Sequence, residues 1–340
     1  MIMFISEDRQ ATVFNSETTF TADDEQSAEN DAKKPAPEAN KDCFIDIVML
    51  KGSRRLHNFL LIAMILVCQL ININCGNPVN EGEGGRFMFV VADVAQGLAQ
   101  FGVAGARAVV WDVGPPGQYA AWRAAYNSLG NPRIELIAIS HSDLDHYGGL
   151  ERFDAHINWN GMIAVSPYED TAKIRAASST YWRERIRFQF VTGGDTLKIF
   201  SGTDIICLWP PANINPELPL DGRERNHYSL VFSVRHGHSR ALITSDIDSV
   251  AMAKIAVQSE HGLRAQILSV PHHGSAGSVN SLFFAYASPE IAVISCARQN
   301  VYGHPSAAMI DALAYQGMRL MYTFIDNTLT FTSNGYYWHY

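Results

Sequence analysis

The chain is 340 residues long, 47% apolar and 18% charged, with a formal net charge of −8. This composition excludes global disorder and allows two domains, or one large α/β or β-rich domain. The acidic balance excludes a general basic surface for nucleic acid, although a local basic groove remains compatible with it.

In chain order, residues 1–48 run through Thr, Ser, Glu, Asp and Lys without apolar periodicity and read as a disordered N-terminal extension. Met49 is an alternative start, which would leave 1–48 untranslated. Residues 49–76 read as a signal peptide or membrane-targeting segment. There Lys51, Arg54 and Arg55 precede ten uninterrupted apolar residues, Phe59 to Cys68. Ten suits a secretory core of about 7–15 and falls short of the about 17–25 that span a bilayer. Export to the periplasm or the exterior is the expectation, with Cys75 as a candidate lipid-attachment site; a short core helix in a cytoplasmic protein is the alternative. Residues 77–340 are expected to form one domain, with 19 basic and 23 acidic residues and a net charge of −4.

From Arg86 onward, short β runs alternate with a few helices. Phe87–Ala92, Arg107–Trp111 and Ile134–Ser140 read as strands, and Tyr119–Leu129 as a helix ended by Gly130. A second set of strands follows at Met162–Val165, Thr196–Phe200, Asp204–Trp209, Ser229–Val234 and Arg240–Thr244. Helix Val250–Val257, strand Ala265–Val270, helix Leu282–Tyr286 and strand Ile291–Cys296 come next. Helix Ser306–Tyr315 and strands Leu320–Phe324 and Thr328–Thr332 close the chain. Two β-rich halves with intervening helices predict a layered sandwich rather than a doubly wound sheet. No glycine-rich phosphate loop follows a strand. The five cysteines form no CxxC pair, which excludes a zinc ribbon.

The chemistry concentrates in loops after strands. His141-Ser-Asp143-Leu-Asp145-His146 places four metal-capable side chains within six positions, and Gly148 and Gly149 let the chain turn closely past them. Burying two imidazoles and two carboxylates without a cation would be costly. His272-His273 ends an apolar strand in the same way. Asp246 also follows a strand, where a helix cap explains it equally well. Asp93 and Asp112 close two earlier strands as turn or loop residues. Asn300 and His304 lie just before a helix N-terminus, a natural position for binding an anion.

These segments resemble the metallo-β-lactamase superfamily, and more narrowly the C-terminal hydrolase domain of competence protein ComEC. The resemblance covers about residues 86–335. It rests on Asp93-Val-Ala-Gln-Gly97, Asp112-Val-Gly114, the His141–His146 motif with Gly148-Gly149, and Asn226-His-Tyr-Ser229. Ser245-Asp246, Pro271-His-His-Gly-Ser275 and Asn300-Val-Tyr-Gly-His-Pro305 continue it in order. It implies a four-layer αββα sandwich with one or two divalent ions, Zn²⁺, Mn²⁺ or Mg²⁺. His141 and Asp143 would hold one ion, Asp145 and His146 the other. Asp246 would bridge them, and His272 or His273 would complete the second site. Asp145 could also orient the attacking water. His304 and backbone amides near Ser275 could stabilise an oxyanion.

Three departures stand out: Ser245 and Ala95 occupy positions where the family usually has Gly, Leu98 one where an acid is frequent, and the third histidine of the first site has no counterpart. His227, with Asn226, is the nearest candidate for it, and Asn226, His227, Ser275 and Asn300 are the residues expected to contact substrate. The implied function is hydrolysis of a phosphodiester, with single-stranded DNA as a candidate partner. The alternatives are a lactone, β-lactam or ester hydrolase, or a non-catalytic ion binder. Tyr181-Trp-Arg-Glu-Arg-Ile-Arg-Phe188 could stack bases and contact phosphates, or simply form a solvated face. No segment reaches the length of a transmembrane channel helix, so transport is not expected.

Overall fold

The computed structural model describes residues 85–214, 220–258 and 262–340. The expected N-terminal extension, targeting segment and Cys75 lie outside the described residues. Strands alternate their side chains between two faces, and here both faces are apolar, so each sheet is covered on both sides. The first sheet has the order β15-β14-β1-β2-β3-β4-β5-β6. Its members are β1 (Phe87–Val91), β2 (Ala99–Ala104), β3 (Arg107–Val113), β4 (Arg133–Ala138), β5 (Met162–Val165), β6 (Arg187–Phe190), β14 (Leu329–Ser333) and β15 (Trp338–His339). The second sheet has the order β13-β12-β11-β10-β9-β8-β7. It comprises β7 (Thr196–Phe200), β8 (Thr203–Trp209), β9 (Val231–His236), β10 (Ser239–Ile243), β11 (Ile267–Ser269), β12 (Ile291–Ile294) and β13 (Arg319–Tyr322).

The period of two places the core in three slabs. Phe89, Val91, Val109 and Trp111 of the first sheet meet Phe232, Ala241, Ile243 and Val293 of the second between the sheets. Val90, Ala108 and Val110 point the other way, onto helix α1 (Tyr119–Ser128) through Trp122, Ala125 and Tyr126. On the far side of the second sheet, Leu242, Leu268, Ala292 and Ile294 pack on three further helices. These are α6 (Ser249–Gln258), α7 (Ser281–Ala287) and α8 (Ala307–Tyr315). The result is the expected αββα sandwich. Five shorter helices complete the set: α2 (Leu144–Tyr147), α3 (Thr171–Ala177), α4 (Thr180–Arg183), α5 (Gly222–His227) and α9 (Thr323–Asp326).

The expected strands and long helices occur, with ends shifted by up to three residues. Three strands escape the periodicity reading: β2, β6 and the two-residue β15. β2 carries Gly102 at its centre, where a Cβ would lie 2.8 Å from the Trp111 ring, so a break-like residue is a packing requirement. β6 lies in the Tyr181–Phe188 run. That run is not a free basic face: Trp182 is buried, and the arginines bond to nearby carbonyls. Arg183 donates to Ala176 and Ser178, Arg185 to Tyr181, and Arg187 to Asn160. Among the described residues no helix is long and apolar enough to cross a membrane.

Candidate metal centre

β1, β3 and β4 run in one direction, as do β10, β11 and β12, so their C-terminal ends present loops at one edge of the sandwich. Asp112 is the penultimate residue of β3, and the His141 loop follows β4. Asp246 follows β10, His272 and His273 follow β11, and His304 lies in the loop after β12. Residues far apart in the chain thereby converge.

Three imidazoles are fixed in the same tautomer. Asp112, fully buried, accepts from Ser140 N at 2.8 Å and Ser140 Oγ at 2.7 Å, and from His146 Nδ1 at 2.8 Å. With its own proton on Asp112, Ser140 Oγ accepts from His141 Nδ1 at 3.0 Å. His273 Nδ1 donates to the Ser295 carbonyl at 2.8 Å. With Nδ1 donating outward, each ring turns Nε2 inward, free to hold a second proton or, once that is displaced, to bind an ion. The Nε2 atoms of His141, His146 and His273 are buried without a protein partner, as is Asp246 Oδ1.

These orphaned atoms face one another at ligand spacing. His146 Nε2 lies 3.2 Å from Asp246 Oδ1 and 4.0 Å from Asp145 Oδ2. His273 Nε2 lies 3.4 Å from Asp145 Oδ2 and 3.7 Å from Asp246 Oδ1. Donors around a tetrahedral ion with bonds of about 2.0–2.2 Å sit about 3.3–3.6 Å apart, so the group fits a divalent cation with little adjustment. His141, His146 and Asp246 form a second overlapping triad. The structure also separates the two adjacent histidines: His273 joins Asp145 and His146, whereas His272 faces the other oxygen of Asp246, Oδ2, at 3.7 Å.

The electrostatics describe a pit that attracts positive charge. Burial alone would raise the Asp246 carboxyl, but the imidazoles of His146, His273 and His272 hold it well below the usual carboxylate range. Burial would likewise lower His146, yet Asp246, Asp112 and Asp145 push it well above an ordinary imidazole. His273 is raised by Asp246 and Asp145 against its own burial. Burial and the neighbouring His272 and His273 depress His304 to about 4, so its ring is neutral at neutral pH.

The backbone is bent to fit. Asp112, Ser245, His272 and His273 all adopt left-handed φ, between 46° and 56°. Ser245 is one of the positions where the resemblance leads one to expect Gly, and Ala95, the other, has φ 55°. Both departures fall on conformations that glycine adopts at least cost. Gly97, Gly148 and Gly149 are held by contact: a Cβ on Gly97 would meet the Asp145 carbonyl at 2.6 Å, and one on Gly149 would collide with that of Val113.

Several expectations need correction. His227 does not stand in for a third histidine: its Nδ1 bonds both oxygens of Asp248, and its Nε2 lies 3.3 Å from Lys254 Nζ. Asn226 sits beside it on α5, with Oδ1 buried and unpartnered. Asn300 is not available to a substrate, because Oδ1 accepts from Tyr302 N and His304 N while Nδ2 donates to Ala297 O and His304 O. It shapes the His304 loop instead. The Ser275 amide is spent on His272 O, and its Oγ accepts from Gly277 N. Asp93, by contrast, is the loop residue expected, accepting from Ala95 N. Asp143 Oδ2 lies 3.6 Å from His141 Nε2, but its Oδ1 accepts from Arg225 Nε at 2.8 Å. Arg225, 82 positions away, belongs to no motif and was not legible beforehand.

Residues 98–189, which contain the His141–His146 loop, match the metallo-beta-lactamase superfamily. Over that segment the chain is similar to the superfamily. Competence protein ComA of Neisseria gonorrhoeae is 26% identical over 256 residues, which cover 75% of this chain and 33% of the relative. ComE operon protein 3 of Bacillus subtilis is 24% identical over 202 residues, or 59% of this chain and 25% of the relative. The chain therefore spans a quarter to a third of the length of these curated relatives. Among solved structures, the metallo-beta-lactamase fold protein YhfI of Bacillus subtilis superposes with a TM-score of 0.47 at 12% identity, covering 73% of this chain and 100% of that one.

Proposed function

We propose that the protein is a metal-dependent hydrolase of phosphodiesters. The observation that carries this reading is the set of orphaned, buried Nε2 atoms of His146 and His273, flanked by Asp145 and Asp246. Two imidazoles and two carboxylates form a borderline-hard donor set, suited to Mn²⁺ or Zn²⁺, with Mg²⁺ a weaker fit. A divalent ion held there would act as a Lewis acid and lower the pKa of water at the site. His141, Asp143, Asp246 Oδ2 and His272 line the adjoining space and offer donors for a second ion.

The chain's own residues supply the rest. Asp145, a third exposed, faces the His146–His273 pair with Oδ2 and is held ionised by the charges of His146 and His273, against its burial. It can accept a proton from an attacking water. The neutral His304 ring packs 5.5 Å from His272 and can donate to a developing oxyanion. The adjoining cavity carries Lys173 and Arg225 together with Glu169 and Asp170, a mixed polar lining that suits a charged phosphodiester better than an apolar lactone.

The test is a substrate panel for the full chain with Mn²⁺ or Zn²⁺: bis(p-nitrophenyl) phosphate, single-stranded DNA and nitrocefin. Hydrolysis of the first two is expected, with a loss of at least about 10²–10⁴-fold in Asp145→Ala. Turnover of nitrocefin alone, or undiminished turnover in Asp145→Ala, would overturn the reading.

A further inference from the structure

Beside the metal centre lies a cavity of about 320 Å³ lined by Ser142, Tyr168, Glu169, Lys173 and Arg225 among others. Its size falls within the range of small-ligand sites. Arg225 joins it to the centre, because the guanidinium Nε that holds Asp143 belongs to a side chain on the cavity wall. A molecule in the cavity would thus lie one residue away from the candidate ligands.

Its chemistry is specific. Glu169 is 7% exposed; its Oε2 accepts from Ser142 N at 2.9 Å, whereas Oε1 is buried with no partner. A buried carboxylate oxygen without a donor is costly to maintain, and a ligand N–H would satisfy it. Lys173 spends one donor on Ser142 O at 2.6 Å, and Arg225 uses Nε on Asp143 and Nη1 on Leu220 O. Each cation keeps N–H groups for an anion. Tyr168 adds an aromatic wall, anchored by its hydroxyl on Pro211 O. The other carboxylate on the wall, Asp170, caps helix α3 by accepting from Lys173 N. One unpartnered buried acceptor, two cations and an aromatic ring match a molecule that combines an N–H edge, an anionic group and a planar face. A nucleotide has all three.

We propose that this cavity seats the nucleotide next to the scissile phosphodiester, with its base against Tyr168 and donating to Glu169 Oε1, and its phosphate between Lys173 and Arg225. The inference rests on the phosphodiester reading and deepens it by naming the residues that would recognise the base and the neighbouring phosphate.

Binding to the metal-free full chain, followed by calorimetry, tests it without turnover. The probes are the four deoxynucleoside 5′-monophosphates, deoxyribose 5-phosphate and inorganic phosphate. Nucleotides should bind at least about tenfold tighter than deoxyribose 5-phosphate. Glu169→Gln keeps an oxygen for Ser142 N but turns a donor into the cavity, so it should erase most of that preference. Lys173→Gln should weaken every phosphate-bearing probe. Comparing two probes within one variant separates lost recognition from lost folding, since a misfolded cavity binds neither. Equal affinity for nucleotides and deoxyribose 5-phosphate would overturn the proposal, as would a preference that survives Glu169→Gln. Failure to cleave bis(p-nitrophenyl) phosphate would instead count against the hydrolase reading, so the two can fail separately.

Discussion

Asp112 touches no candidate donor atom, yet it decides how His146 can act. Its carboxylate takes the Nδ1 proton and so commits Nε2 to the centre. Such carboxylate–histidine pairs typically carry 10–100-fold in metal affinity. Asp112→Asn should lose about that much, read by competition with a metallochromic chelator. Ser245 makes the opposite case. Its φ of 46° costs an L-residue about 1–2 kcal/mol, partly offset by the extra freedom glycine has when unfolded. Ser245→Gly should therefore stabilise the metal-free domain by about 0.5–1 kcal/mol, measured by urea denaturation. A loss of stability would show that the Ser245 side chain does more than occupy a strained position.

At the scale of elements, the candidate ligands come from loops on both sheets: His141 to His146 from the first, Asp246 and His273 from the second. An ion would tie the two layers together, and binding to the native state alone adds stability by mass action. At 100 times the dissociation constant this is about 2.7 kcal/mol, or about 5–10 °C for a domain of this size. Differential scanning fluorimetry with EDTA against excess Mn²⁺ measures it; coincident melts would mean that no ion is held. The loops also show what was legible in the sequence and what was not. The His141–His146 motif is local, and its six positions announce a centre. The division between His272 and His273 is not local, because it depends on left-handed turns at both residues and on a carbonyl 22 positions away. Glu169 was invisible for a similar reason: a single acid in a polar loop acquires meaning only when Ser142, Lys173 and Arg225 fold around it. Strands such as β12 announce themselves by apolar bulk, whereas β2 hides behind a glycine required by Trp111.

For the whole molecule, the charge pit sets the response to pH. His146 and His273 bind protons more tightly in the fold than an ordinary imidazole with a model value of 6.5. Their contribution is therefore fully present below about 6.5 and lost as pH rises through their raised folded values. Asp246 works in the other direction: its contribution is present above 3.8 and lost as pH falls through its depressed value. The depressed His304 costs stability as pH falls from 6.5 toward about 4. The metal-free protein should therefore be most stable near about pH 6.5 and should lose at least about 3 °C of melting temperature from there to pH 9. Metal affinity should rise over the same interval, because the ion must displace those protons. A metal-free melting temperature that climbs toward pH 9 would contradict this account.

Phe87 at the start of β1 and Trp338 in β15 both sit opposite Ser333, on either side of β14. The chain thus enters and leaves the sandwich at the same place, at the end of β1 remote from Asp93 and the candidate ligands. The two ends of the described sandwich can be joined and new ones opened elsewhere, and exposed turns are where such rearrangement is tolerated. A circular permutant linking Gly85 to Tyr340 through a short Gly/Ser segment and opened at Gly105, the turn between β2 and β3, should retain the wild-type affinity for Mn²⁺. The edge that carries the candidate ligands is then portable, a unit that can be spliced into other polypeptides with its donor atoms still in place.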